Sequence, residues 1–256
     1  MSHRPARMKF GAFIAPFHDD RMNPTLALES DMELVCHMDR LGFDEAWIGE
    51  HHSGAYECIA SPEVMIAALA ERTRHIRLAT GVSSLAYHHP LILADRIVQL
   101  DHQSRGRVIF GVGPGQLIAD AYMMGVDPAQ LRRRMHESLE ALVRLLNGET
   151  VTMQTDWFTL REARLHILPY QSPGIEMSVA SAISPTGATL HRTGCVKRAV
   201  QMFGTQGLLV EVVKCQEQLT EVAARSRWVQ HSLRARSIRR EGEGAVAAQV
   251  TLQGAG

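Results

Sequence analysis

The sequence predicts an α/β fold on a parallel sheet, of the (β/α)8 TIM-barrel type or its doubly wound relative. Three observations predict it. Five short apolar runs alternate with segments of helical period. The runs are nearly continuous in apolar residues, as strands covered on both faces are. Asn23-Pro24, Ser61-Pro62, Asp127-Pro128 and Ser184-Pro185 each set a capping side chain before a proline at a first helical position. Strand–helix alternation of this kind implies parallel strands joined by crossover helices.

The elements follow in order. Met8–Ala15 reads as the first strand, and Leu28, Met32, Val35 and Met38 form one helical stripe after it. Phe43–Ile48 is the second strand and the Ala-rich Pro62–Thr73 the next helix. Ile76–Leu85 is the third strand, followed by a helix over Pro90–Ser104, where His89-Pro90 is a weaker start signal. Arg107–Val112 is the fourth strand, and Leu131, Met135, Leu139, Leu142 and Leu146 make a second stripe. A long connection, Gly148–Pro173, precedes a fifth strand over Ile175–Ala180, and Thr155–Leu160 within it suits a small hairpin or cover. The repeating unit of roughly 30–35 residues fits either a barrel or a doubly wound sheet.

The 256 residues, 45% of them hydrophobic, are ample for one sizeable core. Formal charge is zero, which speaks against nucleic acid and against an anionic membrane surface as partners. No apolar run approaches the roughly 18 residues of a membrane span. Met1–Arg7 is basic, but no long apolar stretch follows, so no signal peptide is read there. Cys36, Cys58, Cys195 and Cys215 lack CxxC spacing and metal-type clustering, and fit reduced thiols of a cytoplasmic protein. No GxGxxG follows the first strand, which counts against a Rossmann dinucleotide site.

Chemistry is expected at the C-terminal ends of the strands. The second strand, Ala46-Trp47-Ile48, empties into Gly49-Glu50-His51-His52. Two imidazoles beside a carboxylate can supply acid/base groups near neutral pH, or be a solvated polar loop. The third strand ends in Thr80-Gly81-Val82-Ser83-Ser84, with Tyr87-His88-His89-Pro90 beyond. His88 and His89 could cap the following helix, a role that suits His89 best. Gly111, Gly113 and Gly115 either let backbone approach a flat ligand or form a simple turn. The fifth strand runs into Ser181-Ala182-Ile183-Ser184-Pro185-Thr186-Gly187. A Ser184-capped helix start with Ser181, Thr186 and Gly187 makes either a phosphate cradle or an ordinary cap. A histidine metal site is the alternative for the imidazoles, but the acid that would complete it is not evident at the fourth or fifth strand. Phe17, Tyr87 and Met123 are the candidate lining of a substrate pocket.

Four motifs in order resemble the luciferase-like, flavin-dependent monooxygenases: residues 42–52 (GFDEAWIGEHH), 73–82 (TRHIRLATGV), 88–96 (HHPLILADR) and 100–115 (LDHQSRGRVIFGVGPG). The resemblance covers about residues 8–190. It is strongest to the limonene monooxygenase-like branch, at Glu50–Ser53 and Ile59–Val64. It implies a (β/α)8 barrel that binds reduced FMN at the strand ends and oxygenates a hydrophobic, terpene-like molecule. The reduced flavin would come from a separate flavin reductase, with no metal. It assigns His51 to the family's catalytic histidine, with His52 next, and Gly81-Val82 to a strained turn behind the flavin ring with a cis peptide, leading into Ser83. It sets Gly113 beside the ring and Ser181, Ser184, Thr186 and Gly187 in the phosphate segment. Bacterial luciferases carry cysteine where Gly113 stands, so light emission is not implied. A deazaflavin-dependent hydride transfer, or a barrel fragment without activity, are the alternatives.

After Leu190 the resemblance stops. Residues 1–190 hold 17 Lys+Arg against 22 Asp+Glu, whereas residues 191–256 hold 10 against 5, with no Asp. One further strand candidate, Gly207–Val213, is legible there, and it could equally begin a helix through Gln216, Leu219, Val222 and Ala223. The expectation is a barrel portion over residues 1–190 and an atypical basic tail over 191–256 that does not complete it. An open sheet edge would follow, and with it association or a homodimer.

Overall fold

The computed structural model describes residues 9–14, 18–54, 57–115, 117–180, 198–200 and 212–214, all within one unit spanning Met1–Cys215. The framework is the alternating one. β1 (Gly11–Ile14), α1 (Pro24–Leu41), β2 (Glu45–Ile48), α2 (Pro62–Arg72), β3 (Arg77–Thr80) and a two-residue β4 (Ser83–Ser84) come first. Then follow α3 (Pro90–Ser104), β5 (Val108–Gly113), α4 (Ile118–Met123), α5 (Leu131–Leu146), β6 (Val151–Gln154), β7 (Thr159–Ala163), β8 (Glu176–Ala180), β9 (Arg198–Val200) and β10 (Val212–Lys214). The main sheet runs β1-β2-β3-β5-β8-β9-β10, with β4 paired to β5. Every pairing in it is parallel except that of β9 with β10. The protein is thus α/β with a parallel sheet.

The helices start where the sequence says they should. Asn23 accepts the Thr25 amide at 2.9 Å, Ser61 accepts that of Val64 at 3.4 Å, and each is followed by its proline. Asp127 accepts the Ala129 amide at 2.9 Å and opens a 3₁₀ turn over Pro128–Gln130 that leads into α5. Burial on α5 follows the anticipated stripe of Leu131, Met135, Leu139, Leu142 and Leu146. On α1, Val35 and Met38 of the anticipated stripe are buried, Leu28 and Met32 are partly buried against the core, and Ala27 and Asp31 are buried beside them, with Asp31 paired to His18 at 3.0 Å.

One face of the sheet packs against the helices. Ala46, Ile48, Leu78, Val108, Phe110, Val112, Met177 and Val179 join Val35, Met38, Ile66, Leu69, Leu93, Ile97 and Leu142 in one core. Alternate residues point the other way, and there Phe13, Trp47, Ala79 and Ile109 form a small second cluster. Buried Glu45 lies on this face and accepts the Trp47 indole N–H at 3.1 Å. The strands therefore read as apolar throughout, but only the helix-covered face is apolar throughout.

Side chains tie helix ends to strand starts. Asp39, in the last turn of α1, accepts the amides of Arg74, His75 and Ile76 at 2.7–2.9 Å just ahead of β3. Arg107 fans its donors over the Ala70, Ile76 and Ser104 carbonyls and the Thr73 hydroxyl. The long connection holds the expected hairpin, β6 with β7, shut at its turn by Thr155. Its tip is latched to α5: Trp157 donates to Glu137 at 2.7 Å, and Arg133 makes two 2.8 Å bonds to Asp156.

The third strand is shorter than expected. β3 stops at Thr80, the Gly81–Val82 peptide is cis as the resemblance implies, β4 pairs with the end of β5, and a 3₁₀ turn over Leu85–Tyr87 follows. This turn explains the β5 glycines. A Cβ on Gly111 would lie 2.0 Å from the Thr80 carbonyl oxygen, and one on Gly113 would lie 2.6 Å from Val82 Cγ2. Close approach of the neighbouring chain, within a strand rather than a loop, is what requires glycine there.

Candidate active site

β2 delivers Glu50, His51 and His52 to the C-terminal edge of the sheet, and the segment after β3 delivers Ser83, Ser84, Tyr87 and His88 beside them. The centre is Glu50, 5% exposed. Its Oε1 lies 2.9 Å from both His52 Nε2 and His88 Nε2, and its Oε2 accepts the Ser84 amide at 2.8 Å. Burial opposes ionisation, but the hydrogen bonds from His52 and His88, with the Ser84 amide, outweigh it and hold the Glu50 pKa at about 2. The hydrogen bond to Glu50 correspondingly raises the pKa of His52, against its own burial. The His52 ring stands edge-on to Tyr87, 6.2 Å between centroids.

His51 faces a different pair of acids. Its Nε2 is 3.4 Å from Glu57 Oε1 and its Nδ1 is 3.8 Å from Asp120 Oδ2. Burial raises the Glu57 pKa, opposed by the charge of His51 and reinforced by that of Asp120. Asp120 sits on α4, and its Oδ1 accepts the His52 amide at 3.3 Å. His51 Nδ1, Ser83 Oγ and Tyr87 Oη are buried and have no hydrogen-bond partner among the described residues.

The sequence-predicted residues are therefore brought together in part. His51, His52, Gly81, Val82, Ser83, Gly113 and Tyr87 converge at one end of β2, β4 and β5. Ser181, Ser184, Thr186, Gly187 and Phe17 lie outside the described residues. Met123 is not enclosed: α4 turns Asp120 and Ala121 inward and leaves Ile118, Tyr122 and Met123 exposed. Of the two histidines read as possible caps, His88 is bound to Glu50. His89 occupies the cap position of α3 without a side-chain cap bond and packs edge-on to Phe158. Glu57 and Asp120 went unrecognised in the sequence, since neither belongs to a motif and only the fold brings them to His51.

The fold also assembles a group that cysteine spacing does not reveal. Cys58 joins His18 and Asp31, with one donor atom from each within 4.8 Å of the others. The His18–Asp31 ion pair satisfies two of them, and burial with the nearby Asp31 charge raises the Cys58 pKa, which favours the weakly ligating thiol.

A parallel α/β sheet with imidazoles and carboxylates gathered at its strand ends has the build of an enzyme site, and residues 8–195 match the luciferase-like monooxygenase family. The chain belongs to that family. It is 55% identical over 184 residues to limonene 1,2-monooxygenase of Rhodococcus erythropolis, covering 72% of this chain and 47% of that protein. It is 50% identical to 4-hydroxyprotoasukamycin monooxygenase of Streptomyces nodosus subsp. asukaensis, over 72% of this chain and 50% of the other. Among solved structures it resembles the oxygenating constituent of 3,6-diketocamphane monooxygenase from Pseudomonas putida, a type II Baeyer-Villiger monooxygenase in complex with FMN. That likeness has a TM-score of 0.68 at 25% identity, over 77% of this chain and 57% of that one. More distant is an F420-dependent glucose-6-phosphate dehydrogenase of Amycolatopsis mediterranei, 25% identical over 55% of this chain and 44% of its own. The chain spans about half the length of the curated relatives it matches.

Proposed function

We propose that this chain carries the coenzyme- and substrate-facing portion of a flavin-dependent monooxygenase. It would act on a hydrophobic, terpene-like small molecule with reduced FMN from a separate flavin reductase, on a sheet that is part of a (β/α)8 barrel. The observation that carries the reading is the cluster at the strand ends. Three buried polar atoms without partners among the described residues, His51 Nδ1, Ser83 Oγ and Tyr87 Oη, adjoin the hydrogen-bonded Glu50–His52–His88 scaffold. Buried polar groups call for partners, and a ligand with donors and acceptors along one edge, such as a flavin ring, supplies them. The described residues thus fit the ring end of FMN. Val82, Ser83 and Gly113 would back the ring, and Ser181, Ser184, Thr186 and Gly187 are proposed for the phosphate.

Bound reduced FMN supplies the oxygen-activating chemistry. The residues do the rest. His51 holds or moves a proton at Nδ1. Glu50 fixes His52 and His88, and the exposed apolar residues of α4, Ile118, Tyr122 and Met123, offer a surface that suits a hydrophobic substrate. The names of two of its relatives support oxygenation of a small organic molecule, and that of the limonene 1,2-monooxygenase supports a terpene-like one.

The test is an anaerobic titration of the full chain with reduced FMN and with a reduced deazaflavin. Oxygen uptake is then measured with a flavin reductase and a panel of terpenes. FMN binding with oxygen-dependent product is expected. Binding of the deazaflavin alone, with hydride transfer and no oxygen uptake, would favour the second reading, which the F420-dependent relative supports. Binding of neither would overturn both. The same preparation, sedimented at several concentrations, tests the proposed homodimer.

A further inference from the structure

We propose that Glu57 is a positioning residue that sets the tautomer of His51, holding the proton on Nε2 and leaving Nδ1 as the working nitrogen. The inference rests on the functional reading above for its kinetic part only.

The imidazole stands between two carboxylates at unequal distance, Glu57 Oε1 at 3.4 Å from Nε2 and Asp120 Oδ2 at 3.8 Å from Nδ1. An N–H is drawn to the nearer acceptor, and the 3.4 Å contact with Glu57, whose side chain is only 7% exposed, is an ion-pair contact longer than an ordinary hydrogen bond. The backbone fixes Glu57 in place. The His51 amide donates to the Ile59 carbonyl at 3.1 Å and the Glu57 amide to that of Gly54 at 2.9 Å, so the loop after β2 folds back on itself and returns Glu57 to the ring. Asp120 is held as well, because its Oδ1 accepts the His52 amide. Nδ1 therefore remains buried and without a partner among the described residues. A histidine whose one nitrogen is fixed by a carboxylate presents the other in a defined protonation state, which is the second-partner logic of acid/base histidines. Burial, reinforced by the Asp120 charge, disfavours the charge of Glu57, and the His51 ring beside it opposes this in part. The other titratable groups of this region are Glu50, His52, His88, Tyr87, His18, Asp31 and Cys58. Among the described residues, none of them is hydrogen-bonded to the His51 ring.

Nitrogen-15 NMR of the histidine-labelled full chain, without coenzyme, is the deciding experiment. Wild-type His51, identified by its loss in His51→Ala, is expected in the Nε2–H form. In Glu57→Ala the proton is expected to move to Nδ1, facing Asp120. In Asp120→Asn the Nε2–H form should persist, and Glu57→Gln, which keeps an acceptor, should retain most of it. Nδ1–H in the wild type, or an unchanged tautomer in folded Glu57→Ala, overturns the proposal; the wild-type spectrum decides even if the variant fails to fold. With coenzyme and substrate, Glu57→Ala should lower kcat by about 10- to 100-fold with little change in KM, and Glu57→Gln should recover part of it. If His51→Ala turns over normally while the tautomer responds as stated, the functional reading fails and the positioning role stands.

Discussion

Glu50 satisfies three donors with two oxygens, and its charge is what holds them. Its folded pKa of about 2 lies below the ordinary value of 4.5. The stability it contributes is therefore complete above pH 4.5 and is lost as the pH falls toward 2, a loss of ~3 kcal/mol by linkage. His52 has the opposite sign: its pKa is raised above 6.5, so its share is complete below 6.5 and is lost as the pH climbs through the raised value. Urea unfolding in steps from pH 2.5 to 9 should show greatest stability from this cluster between the two limits, and Glu50→Gln should flatten the acid limb. A steep acid limb retained in Glu50→Gln would assign it to other carboxylates. At the neighbouring position, His51→Ala should lower turnover by roughly 10²–10⁴-fold with the circular dichroism spectrum unchanged. Unchanged turnover in the folded variant would remove His51 from the mechanism. Glu50, His51 and His52 are legible from sequence because a strand end throws adjacent residues into one place. Asp120, 68 residues beyond His52, is not, because a single acid at the start of a short helix has no local signature.

At the scale of elements, β5 passes Thr80 and Val82 so closely at Gly111 and Gly113 that a side chain is excluded at those two positions. Gly111→Ala would set a Cβ 2.0 Å from a backbone oxygen, which cannot yield without parting the strands, whereas Gly113→Ala meets the end of the Val82 side chain at 2.6 Å. Gly113→Ala is expected to cost about 1–3 kcal/mol and Gly111→Ala clearly more, read as midpoints of denaturant unfolding. Equal midpoints would mean that β5 shifts freely. The proline-marked helix starts and the α5 stripe were readable because capping and periodicity are local. The end of β3 was not readable from the apolar run Ile76–Leu85 itself, and it was the resemblance that set a turn with a cis peptide at Gly81-Val82. Asp31 was invisible for a related reason: a buried acid on an apolar stripe makes sense only once His18 is beside it.

At the scale of the molecule, alternation gave the parallel order, but period-two reasoning could not tell that the face of the sheet opposite the helices carries Glu45 beside Trp47. Nor could it tell that β10 would run antiparallel to β9. The family relationship covers residues 8–195, and coenzyme binding should be felt by that unit as a whole. Reduced FMN at 100 times its dissociation constant should add about 2.7 kcal/mol to stability and raise the melting temperature by several degrees. No shift at saturating coenzyme would count against a site formed by this chain. The convergence of His52, His88 and the Ser84 amide on one carboxylate has a further bearing, on how the protein tolerates change. Three connections share one anchor, so their errors are not independent. Saturation mutagenesis scored for coenzyme retention should show positions 50, 52, 84 and 88 failing together as one block, with backbone-disrupting changes alone counting at 84. A second substitution within the block should add little to the first, while paired changes drawn from inside and outside it should compound.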